Sequence, residues 1–209
     1  MSVLVIGAGG HGKVVVATLH AAGVEVVGIL DDDVAAHGRI VLGVPVLGPV
    51  AHLARHAGPV VLGIGSNAVR RRIALAYPGA EWTSAVHPCA VVHPSVAVGA
   101  GTVVFAGAVV QPDAVLGCHA VVNTGATVDH DGRIGDFAHV APGVHLSGDV
   151  LLGEGVFVGV GACAVPGVSV GAWTVVGAGA VVVRDLPPNV TAVGAPARAI
   201  KERPAGWHA

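Results

Sequence analysis

The pair in this chain best suited to moving a proton is a histidine beside an aspartate. His130 and Asp131 close the run Asn123-Thr124-Gly125-Ala126-Thr127-Val128-Asp129-His130-Asp131, a polar island in a background of glycine, alanine and valine. An imidazole titrates near neutral pH and can take a proton from an attacking amine, and an adjacent carboxylate can orient the ring and stabilise its charged form. The plain alternative is an exposed turn histidine beside a solvated carboxylate. Gly148 follows His130 at three times the length of a six-residue repeat described below. If the backbone winds with that longer period, the Gly148 peptide N–H lies one rung away and is suited to holding an oxyanion. Otherwise it is one turn glycine among many.

A second set of residues points to phosphate. Gly7-x-Gly9-x-x-Gly12 follows the apolar run Ser2–Ile6, and Asp31 comes about twenty residues later, the spacing of a dinucleotide fingerprint. Taken alone it suggests NAD. Yet only the segment 1–84 precedes a long repeat array, room for one mononucleotide half and not two. A glycine-rich loop opening a helix can hold the phosphates of a nucleotide sugar instead. Asp31, Asp32 and Asp33 end the second strand, and one or two of them are expected to matter beyond solvation.

The elements that must position these residues follow two grammars. Over residues 1–84, strands at Ser2–Ile6, Val24–Leu30 and Val60–Ile64 alternate with helices. One helix spans Lys13–Ala22, and the other follows Gly65-Ser66-Asn67 and carries Arg70, Arg71 and Arg72. That alternation predicts a small Rossmann-like βαβ domain with ligands at the strand C-terminal ends. From Ala85 to Leu186 the chain divides into seventeen hexads without a break in phase. The second position is Val, Leu or Ile in all but Ala164, and the sixth is small or β-branched in all but Leu186. Three hexads make one triangular coil, so residues 85–209 predict a parallel β-helix of five to six coils with the aliphatic second position stacked inside. His130 and Asp131 occupy fourth and fifth positions, where a turn projects side chains outward. The α/β domain is expected to cap the first coil, and the segment from Pro187 onward to cover or flank the last.

Composition removes several function classes. The chain is 53% hydrophobic and 11% charged, and Gly155 to Val183 carries no charged residue, a length that would span a bilayer. Seven glycines and Pro166 in that stretch, with the strict aliphatic period, argue for β-helix and against membrane insertion. A formal net charge of −2 leaves no electrostatic footprint for nucleic acid. Cys89, Cys118 and Cys163 form no CxxC spacing, and Met1–Gly10 has no basic n-region, which together fit a reducing cytoplasm. None of the cysteines neighbours His130 in sequence, which argues against a covalent acyl-enzyme. No two histidines in the repeats are separated by one full coil, and none has the spacing of a β-helical zinc site, so no metal is expected.

The hexads resemble the left-handed β-helix acyltransferases. The order GAGGHGKVV, acidic cluster, IGSN, NTGATVDHD and VGAPAR is similar to that of the nucleotide-aminosugar N-acetyltransferases and their sialic acid O-acetyltransferase relatives. The resemblance covers essentially the whole chain and alone supplies the left hand of the coils. It implies acetyl-CoA as co-substrate, a homotrimer with acetyl-CoA between adjacent β-helices, and a UDP- or GDP-linked amino-deoxysugar as acceptor. It places the catalytic base at His130 beside Asp131, with Gly148 as oxyanion donor. It sets Asn123 and His139 near acetyl-CoA, and assigns Gly9, His11, Asp31, Asp32 and Asn67 to the nucleotide sugar. His139, at a first hexad position, is also readable as a residue of the outer ladder. O-acetylation of a sialic acid or another sugar hydroxyl is the nearest rival. An NAD-dependent oxidoreductase would need a second cofactor half, and a plain β-helical scaffold would leave NTGATVDHD without purpose. An uncharged, nearly flat prism face between Gly155 and Val183 is expected to form the trimer interface.

Overall fold

The computed structural model describes residues 2–204. Its first unit is a six-stranded sheet. Ser2–Ile6 (β1) lies at its centre, flanked by Glu25–Leu30 (β2) and, further along the chain, Pro59–Leu62 (β5). Ile40–Val41 (β3) and Val44–Gly48 (β4) form a hairpin at one edge, and Glu81–Trp82 (β6) closes the other, giving the order β3-β4-β2-β1-β5-β6. All pairings are parallel except that hairpin. Neither the hairpin nor β6 is among the strands expected from sequence. Helix Gly10–Ala21 (α1) follows β1, and Asn67–Ala76 (α2) follows β5. Helix α1 begins two residues before Gly12, so His11 and Gly12 are helical and only Gly7–Gly9 make the turn. Gly12 is required by contact. A Cβ there would overlap the Gly7 carbonyl oxygen, so the helix packs onto the turn only without a side chain.

From Ala85 every hexad contributes a two-residue strand, and each strand pairs with the one three hexads on, as Val103 does with Val121 and Thr127 with His145. Three parallel sheets result. Second-position residues from Val104 to Val182 and sixth-position residues such as Ala108, Ala126 and Val150 fill the interior. The fifth position holds left-handed backbone from Gly101 through Gly179, which explains its many glycines and its aspartates Asp113, Asp131 and Asp149. Val190–Val193 extends the first sheet past Val175–Val176, and Arg198–Glu202 returns antiparallel along it, flanking the last coil.

Two expectations about packing are corrected. The α/β unit does not close the end of the first coil, since the inward-type residues Val86 and Val98 there remain 37% and 36% exposed. It lies instead on the flank of the prism. Val15, Val16 and Leu19 of α1 pack with Ala85, Val103, Phe105 and Val121, outward residues of the first β-helix sheet and the turn beyond it. These first-position side chains match a core because a domain covers them. The uncharged stretch Gly155 to Val183 is not a face either. Its strands belong in turn to all three sheets, so it winds around the prism, because successive hexads always change face.

Candidate active site

His130 sits at the turn after Thr127–Val128, where the polypeptide passes from one sheet to the next. Its Nδ1–H donates to Asp131 Oδ2 at 2.8 Å, and its peptide N–H donates to Asp129 Oδ1 at 2.8 Å. Asp131 reaches the ring because its backbone is left-handed, φ 60°, a conformation aspartate tolerates better than most residues. The hydrogen bond to Asp131 raises the His130 pKa above the ordinary imidazole value, with Asp129 and Asp149 adding to it. The carboxylate thereby fixes the tautomer and leaves Nε2 with its lone pair free. Gly148 lies one rung on. A Cβ built there would come 2.5 Å from His130 Nε2, so the ring rests over a position that only glycine leaves open. The His130 and Asp131 side chains are 58% and 54% exposed. One ligand atom each from His130, Asp131 and Asp149 lies within 4.8 Å of the others, an exposed set in which Asp131 is committed to the His130 ring.

A cavity of about 400 Å³ opens at the C-terminal ends of β1, β2 and β5. Gly9, His11, Asp31 and Asp32 line it, as do Gly65 and Arg72. The first amides of α1 lie at its wall, the arrangement that attracts phosphate. Asp31 Oδ2 accepts from Ala8 N–H at 2.6 Å and Asp32 Oδ1 from Val50 N–H at 2.9 Å, which fix both carboxylates at the rim. Asp33 is set apart, because its carboxylate caps the short helix Val34–Ala36. His11 packs edge-on against Phe105, with ring centroids 5.2 Å apart, and burial lowers its pKa to about 4. Its Nε2 is buried without a hydrogen bond. Arg72 is not among the site residues expected from sequence, where it is one of three adjacent arginines on the helix.

Asn67 does not line the cavity to which the other expected sugar contacts belong. It is buried, and its amide is committed to the domain seam. Nδ2 donates to the Gly155 and Val156 carbonyls at 3.0 and 3.2 Å, and Oδ1 accepts from Arg70. His139 is no outer-ladder residue, being 6% exposed beneath the α/β unit. Its Nδ1–H donates to the Gly65 carbonyl at 3.3 Å, and its Nε2 accepts from Asn123 Nδ2 at 3.1 Å. Burial drives its pKa down to about 3, so it is neutral. Asn123 and His130 occupy turns of consecutive hexads and therefore stand at different corners of the triangle. A single chain thus separates the proton-transfer pair from Asn123, His139 and the cavity. Cys163 is paired in register with His145, a proximity invisible in sequence, but that ring turns its Nδ1 to Thr127 Oγ1 at 3.0 Å.

Residues 2–76 match the PglD N-terminal domain family. Over the whole chain the fold is similar to a histidine-to-alanine variant of GDP-perosamine N-acetyltransferase from Caulobacter crescentus in complex with CoA and GDP-perosamine. The two are 43% identical, with a TM-score of 0.91 over 97% of this chain and 98% of that one. It is also similar to the acetyltransferase domain of PglB from Neisseria gonorrhoeae in complex with acetyl coenzyme A, at 40% identity and a TM-score of 0.88 over 95% of this chain and 98% of that one. A curated relative, an uncharacterized protein of Acanthamoeba polyphaga mimivirus, is 32% identical over 103 residues, and the match spans 21% of its length and 49% of this chain. The shared fold gives the coils their left hand, opposite to the usual hand of parallel crossovers.

Proposed function

The chain belongs to the hexapeptide-repeat, left-handed β-helix sugar acetyltransferases, and we propose that it moves the acetyl group of acetyl-CoA to the 4-amino group of a nucleotide-linked amino-deoxysugar. The observation that carries this reading is the His130 imidazole, held through Nδ1–H by Asp131 with Nε2 free over Gly148. The neutral amine attacks the thioester carbonyl, and Nε2 takes the proton that the new C–N bond makes acidic. The Gly148 N–H is placed to donate to the oxyanion of the tetrahedral intermediate. Collapse expels the CoA thiolate, which recovers the proton from the imidazolium. No acyl-enzyme is required.

The nucleotide lies in the cavity of the α/β unit, its diphosphate at the Gly9–His11 amides and Arg72, with Asp31 and Asp32 toward the base or ribose. Asn123 and His139 lie toward acetyl-CoA. Because the dyad and this cavity occupy different corners, a neighbouring subunit must complete the site, which favours a homotrimer. The free cysteines suit a cytoplasmic enzyme.

The test is a screen of UDP- and GDP-linked 4-amino-sugars and a sialic acid with acetyl-CoA, following released thiol. Turnover is expected with one of the nucleotide amino-sugars. Thiol release only with the sialic acid would move the reaction to a hydroxyl, and none with any acceptor would end the proposal. GDP sugars are the first to try, given the GDP-perosamine complex of the Caulobacter relative.

A further inference from the structure

The mechanism leaves one buried charge unused. Arg70 on α2 is 1% exposed, and its guanidinium donates to carbonyl oxygens and one amide rather than to a carboxylate. Nε donates to the His119 carbonyl at 3.1 Å. Nη1 donates to the Ile64 and Gly65 carbonyls, each at 3.0 Å. Nη2 donates to Asn67 Oδ1 at 3.0 Å and to the Phe137 and Ala138 carbonyls at 2.8 and 3.3 Å. A lone buried cation is costly to keep, and an apolar side chain would serve plain packing at lower cost. A rigid planar fork is what six acceptors arranged around it require.

Those acceptors belong to two bodies. Ile64 and Gly65 form part of the nucleotide cavity wall. His119 and Phe137 lie at equivalent positions on successive coils of the β-helix, with their rings stacked at 5.2 Å. The Gly65 carbonyl also accepts from His139 Nδ1–H, so His139 must present its Nε2 lone pair, which Asn123 Nδ2–H satisfies. Asn123 Oδ1 in turn accepts from Thr124 N–H at 2.8 Å. We propose that Arg70 is a positioning residue. It registers the nucleotide cavity on the β-helix and, through the shared Gly65 carbonyl, sets the orientation of His139 and Asn123.

The consequence for turnover rests on the acetyltransfer reading; the link from Arg70 to His139 does not. Burial comes first and Arg70 second in lowering His11 to about 4 and His139 to about 3, so both rings beside the wall stay neutral. Of the other charged groups at the seam, Arg71 pairs with Glu154 at 2.7 Å, and Asp136 accepts from the Cys118 N–H.

Arg70→Lys keeps the charge but has three donors for six acceptors. The expected result is a folded protein whose KM for nucleotide sugar rises about tenfold or more, the scale of a sub-ångström to ångström misplacement. Its KM for acetyl-CoA should rise by a smaller factor, since misplaced His139 and Asn123 are only part of a surface that the β-helix otherwise supplies. The His139 Nδ1–H resonance of the 15N-labelled parent, protected by burial, should shift or exchange away in the variant. Asn67→Ala, which retains the guanidinium and removes one acceptor, should move the same readouts less. Unchanged KM and an unchanged ring resonance in folded Arg70→Lys would overturn the proposal. So would equal weakening of both substrates in step with Tm, or failure of both variants to fold, since either assigns Arg70 to the core alone. A parent inactive on every acceptor ends the functional reading and leaves the ring resonance to decide on Arg70.

Discussion

At the scale of the residue, the chemistry rests on which nitrogen of His130 is free. Asp131 holds Nδ1–H, so the base is Nε2, and the same hydrogen bond raises the pKa. The catalytic form is the neutral ring, so kcat should rise with pH through a midpoint above the ordinary imidazole value near 6.5. Asp131→Asn removes the main cause of the raised pKa, so the midpoint should move to lower pH, while kcat on the plateau falls with the weaker base. His130→Ala should lower kcat by roughly 10²–10⁴ and lose that limb, leaving only the titration of the substrate amine. Acetyl-CoA binding and Tm should hardly change, because the side chain is exposed at a turn. The measurement is kcat against pH for the three proteins. An Asp131→Asn profile that superimposes on the parent's would remove the carboxylate from the mechanism. This pair was legible in sequence because it breaks a monotonous repeat at turn positions. Its orientation was not, since that depends on the left-handed backbone of Asp131.

At the scale of the element, the β-helix was the more legible half. Every inward position is repeated in each hexad, so periodicity alone carries the fold from Val104 to Val182. The edge hairpin Ile40–Gly48 and the strand Glu81–Trp82 were missed because short edge strands leave little pattern. Docking on the flank was missed for a different reason. Outward residues Ala85, Val103 and Val121 look like any first-position residue until a helix covers them. Arg70 was hidden in an arginine run, yet it shares one helical stripe with Asn67, Ile73 and Ala74, all buried, and that i, i+3, i+4 spacing was the available signal. The turn into α1 supplies a test at this scale. Gly12→Ala puts a Cβ into the Gly7 carbonyl, so α1 must lift from the turn, at a cost of about 1–3 kcal/mol. A lower Tm with weaker nucleotide-sugar binding should be seen, with acetyl-CoA affinity retained. A variant as stable as the parent would show that the helix is not seated on that turn.

At the scale of the whole molecule, the seam between the two units is where pH acts on stability. His11, His119 and His139 are gathered there around Arg70, with pKa values lowered to about 4, about 4 and about 3, by burial first in each case. In the unfolded chain each returns to about 6.5. Between those values the unfolded state binds protons that the folded state refuses. Stability is therefore full above pH 6.5 and is lost as pH falls toward the folded values. By pH 5 each imidazole can withdraw up to about 2 kcal/mol, on the scale of 1.4 kcal/mol per pKa unit. His130 works in the opposite sense, but it is exposed and adds little to this balance. The loss between pH 6.5 and 5 is therefore assigned to the three seam imidazoles. Thermal unfolding should show Tm dropping on the order of 10 °C over that interval, at about 2–4 °C per kcal/mol for a chain of this size. His139→Gln, which retains an amide donor toward Gly65 and does not titrate, should flatten the slope even if it lowers Tm overall. A parent whose Tm is level from pH 6.5 to 5 would mean that these rings take up protons in the folded state. The two units would then have to part, or admit water between them, well before the chain unfolds.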